Sequence, residues 1–480
     1  MLISQLLRAL NISYKGEDKD IKYITDDSRK CCENSIFVCH KNAEAFVGDA
    51  LSRGAVLVVS EREVCKDCVR VENTRQAFAV LCSRFFGDCH KSLRLIGVTG
   101  TNGKTTTCFM IHNILTVAGK RCGIISTVKN DTCSGECESE RTTPDCFSLH
   151  QMLFKMHSAG AEFCVIEASS QGLCQERLYG LSFEIAVLTN LTADHLDYHK
   201  THENYKNAKL KLFRNAQVSI VNFDDSSKDE FLSASKGKGL TYSLKNDTAT
   251  YTAKCAEYKS DETNYAFVGD SIIHRIKLRV PGAFNAANSL AAIAACLEAG
   301  ISLFECAEGL RQFYSVRGRM EILPLGREFT VIIDYAHTED SLRQSLLFLK
   351  SIKKGRLITV FGCGGNRDRE KRGKMGKTVG ELSDTVIITS DNPRHEEPSQ
   401  IINDILSGMK ISKKNLYIHE NRKKAIEYAL KRAGKNDIIF LAGKGHETSQ
   451  QIGDEKLPFD EREIVREILS RQIDEYKGII

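Results

Sequence analysis

The sequence predicts an α/β protein of three domains, at residues 1–90, 91–315 and 316–480. Three observations predict it. Apolar strand-like runs alternate with helical patterns along most of the chain. One of these runs ends in a glycine-rich Gly-Lys-Thr turn near residue 100 that opens a helix. A length of 480 residues is enough for about three domains, each burying its own core.

Composition narrows the function. Hydrophobic residues make up 42% and charged residues 27%, ordinary values for a globular protein in water. The net charge of +5 is slight and interspersed, without a basic stripe carrying interleaved aromatics, so nucleic acid is not an expected partner. The start, MLISQLLRAL, lacks the basic region and cleavage site of a signal peptide, and no run is long enough for a membrane span. Among eighteen cysteines, the closely spaced pairs Cys65/Cys68 and Cys133/Cys137 do not sit beside a second pair of zinc-ligand form. Cys108, Cys164 and Cys296 lie in apolar patterns, where cysteine acts as a small hydrophobe. A reducing cytoplasm is therefore the expected compartment.

The elements follow in order. In the first unit, strand-like runs at 35–39 and 55–59 flank a short helical pattern at 45–52, and a helix follows over 74–86. Asp26-Asp27-Ser28-Arg29 is a polar turn ahead of the first clear strand, and alone it is no more than a turn.

In the second unit, 93–98 reads as a buried strand running into Gly97-Val-Thr-Gly100-Thr101-Asn102-Gly103-Lys104-Thr105-Thr106. Gly100 and Gly103 let the backbone turn and approach a ligand closely, and the helix begins at Thr105. Successive N–H groups and the helix start make an anion site, to which Lys104 adds a charge and Thr105 a hydroxyl for Mg²⁺. The glycine spacing is tighter than the usual Walker A pattern, but strand, Gly-Lys-Thr and helix together point to a triphosphate. Further apolar runs lie at 123–127, 163–166, 184–188 and 218–221. The second ends in Glu167, where a P-loop protein places its Mg²⁺ carboxylate. The third leads into a loop carrying Asp194, His195, Asp197 and His199, either a solvated loop or part of a site. Ligands collect outside the carboxyl ends of parallel strands, so the P-loop, Glu167 and His195 should converge. Residues 205–213 form an amphipathic helix whose lysines, Lys209 among them, would ordinarily be surface residues. The stretch 226–270 reads as a small strand-and-turn insertion. After Pro281-Gly282, an alanine-rich helix over 285–299 must pack closely, with Asn285 and Asn288 either capping it or binding a ligand.

In the third unit, runs at 330–333, 357–361, 384–389 and 437–441 each end in a polar or glycine turn. The turns are Asp334-Tyr-Ala-His337, Gly362-Cys-Gly-Gly-Asn-Arg367-Asp-Arg369, Ser390-Asp391-Asn392-Pro393-Arg394 and Ala442-Gly443-Lys-Gly-His-Glu447. Four such turns at one sheet edge make a second ligand surface.

Taken together, GTNGKTT, EASSQGL, TNLTADHLDYH, PGAFNAANSLAA, DYAHTEDSL, FGCGGNRDR, DNPR and GKGHE resemble the Mur ligases of peptidoglycan synthesis over essentially the whole chain. The resemblance implies an N-terminal UDP-sugar-binding domain, a central P-loop ATPase domain and a C-terminal Rossmann-like domain that takes the amino acid. It implies that Ser28 contacts the UDP-sugar, and that Thr142, Thr143, Ser169, Gln175 and Arg177 contact the muramoyl-dipeptide. Gly100 to Thr106 would hold ATP, with Asn288, Arg319, Asp334 and His337 as adenine, ribose and phosphate contacts. Thr105, Glu167 and His195 would place two Mg²⁺ ions. Lys209 matches a lysine that the family carbamylates, and a carbamate supplies oxygen ligands where an ammonium would repel the cation. Lys104, Lys209, Glu167 and His195 would carry catalysis. Arg367, Asp391, Asn392, Pro393, Arg394, Gly443 and Glu447 match the contacts of members that add meso-2,6-diaminopimelate, Glu447 pairing with its ammonium. Four departures sit beside such contacts: Gln171 for a common histidine, Asn366 for aspartate, Gly373 for proline, and His395 for a small residue.

The implied reaction is ATP-dependent amide formation on UDP-N-acetylmuramoyl-L-alanyl-D-glutamate by a monomer. Folylpolyglutamate synthase shares the architecture and the carbamylated lysine, but the first domain and the DNPR and GKGHE turns argue against it. A P-loop GTPase would need an Asn-Lys-x-Asp motif, and the chain has no Asn-Lys pair.

Overall fold

The computed structural model describes residues 1–410 and 412–477. It is a mixed α/β structure built on three principal sheets. The first is a four-stranded parallel sheet in sequence order: β1 (Tyr23–Thr25), β2 (Ser35–Cys39), β3 (Ala55–Ser60) and β4 (Cys68–Arg70). All five residues of β2 are buried, as a continuous apolar run requires. The helix Thr74–Phe85 covers the sheet, and Asn73 caps it by accepting from the Arg75 and Gln76 N–H groups. Phe147, on the helix Cys146–Ser158, packs against Tyr23 and Phe86 with ring centroids 4.3 and 5.0 Å apart, tying the first sheet to the second.

The second sheet has eleven strands: β5 (Arg94–Thr99), β6 (Cys122–Ile125), β7 (Lys129–Asp131), β8 (Glu136–Glu138), β9 (Phe163–Glu167), β10 (Phe183–Leu188), β11 (Ala216–Asn222), β12 (Lys238–Ser243), β13 (Tyr251–Tyr258), β14 (Thr263–Gly269) and β15 (Ile272–Leu278). Their order is β15-β14-β13-β12-β11-β10-β5-β9-β6-β7-β8, parallel from β13 through β6 and antiparallel at both margins. β5 lies between β10 and β9, so the turns after these three strands open at one edge.

The stretch 226–270 differs from the sequence expectation of an insertion. Its strands continue the main sheet, and the alanine-rich helix Ala283–Glu298 packs on them, with Tyr265 Oη 2.7 Å from Ser289 Oγ. A marginal strand needs only one apolar face, which is why its polar composition hides it. The hairpin β7–β8 is short and polar and left no strand signal. Cys108, Cys164 and Cys296 are wholly buried.

The third sheet contains β16 (Glu321–Ile322), β17 (Thr330–Asp334), β18 (Leu357–Phe361), β19 (Thr385–Ile388), β20 (Leu416–Ile418) and β21 (Ile438–Ala442), in the order β16-β17-β21-β18-β19-β20. It is parallel from β17 to β20, so the four polar turns leave the same edge. A separate hairpin, β22 (Ser449–Ile452) with β23 (Glu455–Pro458), packs beside them. No helix among the described residues is long and apolar enough to cross a membrane.

Candidate active site

The facing edges of the second and third sheets enclose a cleft of about 1230 Å³. On the P-loop, Gly100 (φ +149°) and Gly103 (φ +83°) leave no room for side chains. A Cβ on the first would lie 1.9 Å from Thr189 Oγ1, and one on the second 2.3 Å from Asn288 Oδ1. The Thr101 and Asn102 N–H groups donate to Asn190 O and Oδ1 at 2.8 and 2.9 Å, so these two shape the loop. Lys104 to Thr106 begin the helix Lys104–Val117, whose first N–H groups have no intrahelical acceptor and are left for an anion. Lys104 Nζ donates to Thr101 O at 2.8 Å, and burial lowers its pKa.

Glu167 ends β9 almost fully buried and held on both oxygens. Thr105 Oγ1 donates to Oε1 at 3.0 Å, and Thr127 donates to Oε2 from its N–H and its hydroxyl, both at 2.9 Å. Arg319 Nη2 donates to Thr105 Oγ1 at 3.1 Å while its guanidinium lies over the Tyr335 ring. Lys209 is 1% exposed despite its amphipathic helix, its Nζ donating to Gly100 O at 2.6 Å above the Tyr205 ring. Burial, then the Lys104 charge, push its pKa well below the usual lysine value. His195 adopts φ +54° beside Asp194, 3.4 Å away, and burial lowers its pKa.

The His195 imidazole is a softer nitrogen donor, while the threonine hydroxyl and fixed carboxylate beside it are oxygen donors that suit a hard divalent cation. An ammonium at Lys209 does not suit one. The unprotonated amine is the form that reacts with CO₂, a depressed pKa raises its share, and a carbamate at Lys209 would add oxygen donors. The residues therefore fit Mg²⁺ when Lys209 is carbamylated.

Next to Glu167, Thr143 Oγ1 donates to its carbonyl at 2.8 Å, Ser169 N–H donates to Thr143 Oγ1 at 3.0 Å, and Arg177 Nη1 donates to Thr143 O at 2.6 Å. Arg177 also holds Gln175 Oε1, and Thr142 lines the cleft beside them. Ser28 does not reach the cleft. It is buried in the turn Ser28–Lys30, which the Asp27 carboxylate caps.

Across the cleft, Asp334 is committed to backbone donors, accepting from Met320 N–H at 2.7 Å and Ala336 N–H at 2.9 Å, with burial raising its pKa. It thereby fixes the segment carrying Arg319. His337 Nδ1 pairs with Tyr335 O at 2.8 Å, and burial takes its pKa down to about 4. Asn288 lines the cleft from the start of the alanine-rich helix. Arg367, Asn392, Arg394 and Glu447 line its far end. Arg394 (φ +53°) donates from Nη1 to Gly365 O at 2.7 Å. Asp391, Pro393 and Gly443 shape the turns without lining the cleft: the Gly443 N–H donates to Asp334 O at 3.0 Å, and Gly365 packs on Pro393 O. Two of the departures meet, the His395 N–H donating to Asn366 Oδ1 at 3.1 Å.

Four residues here are not singled out by the sequence reading, although Asp340 lies in DYAHTEDSL and Lys444 in GKGHE. They are Thr127, Tyr205 (hydroxyl 3.1 Å from Thr101 Oγ1), Asp340, which accepts from Asn102 Nδ2 at 2.9 Å, and Lys444.

A family model of the Mur ligase middle domain matches residues 98–296, and one of the Mur ligase glutamate ligase domain matches 318–445. The chain belongs to the Mur ligase family. Among relatives of this Mur ligase, UDP-N-acetylmuramoyl-L-alanyl-D-glutamate–2,6-diaminopimelate ligases from Clostridium botulinum and Clostridium perfringens are 40% and 41% identical to it. Each alignment covers 98% of this chain and 99% of the relative. A solved structure of a ligase of the same description superposes with a TM-score of 0.71 at 33% identity, covering 98% of this chain and 99% of that one. A MurF ligase from Thermotoga maritima, solved in complex with ADP, shares the fold at 18% identity with a TM-score of 0.64, covering 95% and 98% of the two chains.

Proposed function

We propose that this Mur ligase uses ATP to join meso-2,6-diaminopimelate to the D-glutamyl γ-carboxyl of UDP-N-acetylmuramoyl-L-alanyl-D-glutamate. One observation carries the reading: a single cleft is lined by the P-loop, the Thr142/Thr143 turn, and the Arg367, Arg394 and Glu447 turns. Nucleotide, carboxylate and incoming amine thus meet in one space. Full-length relatives described as this ligase support the same substrates. We assign residues 1–90 to the UDP-sugar, 91–315 to ATP and 316–480 to the amino acid, one chain forming the working unit.

The γ-carboxylate oxygen attacks the γ-phosphorus of ATP, the bond to the β,γ-bridging oxygen breaks, and ADP leaves. The amine nitrogen then attacks the carbonyl carbon of the acyl-phosphate. The tetrahedral intermediate expels phosphate, which carries away the proton that the nitrogen gives up. Lys104 and Arg319 offset phosphate charge, and the helix N-terminus at Lys104 cradles the phosphates. Arg177, through Thr143, orients the muramoyl-dipeptide. Thr105, Glu167, His195 and carbamylated Lys209 would hold Mg²⁺, which supplies charge neutralisation at the phosphate oxygens. Closure of the cleft over its substrates would keep water from the acyl-phosphate. Sustained ADP release should require both the UDP-muramoyl-dipeptide and the amino acid. ADP release at full rate with either omitted contradicts the proposal.

A further inference from the structure

Glu447 faces the cleft with one oxygen already engaged. Its Oε2 accepts from Asn392 Nδ2 at 2.9 Å and from Lys444 Nζ at 2.7 Å, while no donor among the described residues reaches Oε1. Lys444 is wholly buried, and its Nζ also donates to Asn392 Oδ1 at 3.0 Å. That oxygen in turn accepts the Gln451 N–H at 2.9 Å. Three side chains thus form a closed ring joining the turn after β21 to the turn after β19, and the Gln451 backbone ties the hairpin β22–β23 to it. Asn392 Oδ1 is saturated by the Lys444 and Gln451 donors, while its Nδ2 gives one N–H to Glu447 and keeps a second.

Burying an ammonium is costly, and a side chain needed only to fill that space would better be apolar. What the ammonium adds is direction. Two donors on Oε2 restrain the carboxylate's rotation and leave its second oxygen unengaged on a residue that lines the cleft. We propose that Lys444 is a positioning residue for the amino-acid substrate, holding Glu447 Oε2 and Asn392 Oδ1 so that Glu447 Oε1 receives the substrate's ammonium. The inference rests on the assignment of this turn to the amino acid under Proposed function.

The test is steady-state kinetics of the full chain with each substrate varied in turn, for wild type, Lys444→Met, Lys444→Arg, Glu447→Gln and Lys444→Met/Glu447→Gln. Lys444→Met should raise the KM for diaminopimelate about 10- to 100-fold, the effect of removing one partner of a buried charged pair. The KM values for ATP and the UDP-substrate should stay within about twofold, since neither touches the ring. Lys444→Arg should recover part of the loss. In the Glu447→Gln background the same substitution should add less than about threefold, because the group it positions is gone. If Lys444→Met does not fold, Lys444→Gln takes its place. An unchanged diaminopimelate KM, an equal rise in all three KM values, or full additivity with Glu447→Gln overturns the role of Lys444. Glu447→Gln with an unchanged diaminopimelate KM overturns the assignment of the turn itself, and this inference with it.

Discussion

At the P-loop corner of the cleft, consecutive residues from Gly100 to Thr106 shape the site mainly with backbone, and two glycines exist there because a Cβ has nowhere to go. At the opposite corner, Arg367, Asn392, Arg394 and Glu447 come from the ends of three parallel strands of one sheet, and it is their side chains that line the cleft. The first corner is therefore broken by adding atoms and the second by removing them. Between the corners sits the Glu167–Lys209 group, where buried side chains from β9 and the helix His202–Arg214 meet the loop.

The largest effect should come from that middle group. Lys209→Ala should lower kcat by about 10³-fold or more, since the buried carbamate proposed to hold Mg²⁺ is lost. Short carboxylic acids added to the assay should restore part of the rate. Near-normal activity in this variant would leave Lys209 a packing residue and remove the middle group from the comparison.

Next is Gly100→Ala. The added methyl would meet Thr189 Oγ1 at 1.9 Å, so the loop must shift by an ångström or more, costing about 10²-fold in kcat/KM for ATP. Glu447→Gln should leave ATP affinity, read by titration calorimetry, unchanged. If both variants weaken ATP equally, the two corners are not independent.

A smaller change is expected from Thr127→Val, which keeps the shape but removes the hydroxyl bonded to Glu167 Oε2. The Mg²⁺ concentration for half-maximal rate should rise about tenfold, with the UDP-substrate KM little affected. A shift confined to the UDP-substrate would place Thr127 with Thr142 instead.

The smallest effect is on stability. The Arg372 guanidinium bonded to Glu396 draws its carboxyl down to about 2, and the same carboxylate holds the Asn366 N–H and so the loop carrying Arg367. A folded-state pKa below the unfolded one contributes stability that is full above about pH 4.5 and lost as pH falls toward 2. Denaturant unfolding should show wild type ahead of Glu396→Gln at pH 7, with the gap narrowing below about pH 4.5 and closing only as pH approaches 2. A gap that is constant with pH removes the ion pair as its cause.

What the sequence made legible follows the same contrast. The P-loop, its strand and its helix lie in one window, and the four polar turns could be placed at one edge because parallel strands share their direction. Thr127, Tyr205, Asp340 and Lys444 are ordinary residues whose part is set by contacts between elements far apart in the chain, such as Asn102 with Asp340. Lys209 reads as a surface lysine in its helical pattern and is buried only because the P-loop closes over it. Ser28, Asp391 and Asp334 were legible as polar turn residues, but not whether each side chain would face a ligand or brace its own turn. Here Asp334 braces the backbone of Met320 and Ala336. The stretch 226–270 reads as a strand-and-turn insertion, and its continuation of the main sheet is hidden because alternation on a sheet margin looks polar.

The choice of amino acid tests the account most directly. Lysine and diaminopimelate differ by one distal carboxylate, which a guanidinium fork recognises and lysine leaves unpaired. Phosphate release should be measured with ATP, the UDP-muramoyl-dipeptide and each amino acid in turn, for wild type and Arg394→Ala. Wild type should prefer diaminopimelate by about 10²–10⁴-fold in kcat/KM, and Arg394→Ala should lose most of that preference. A wild-type preference for L-lysine, or an Arg394→Ala enzyme as selective as wild type, would contradict it.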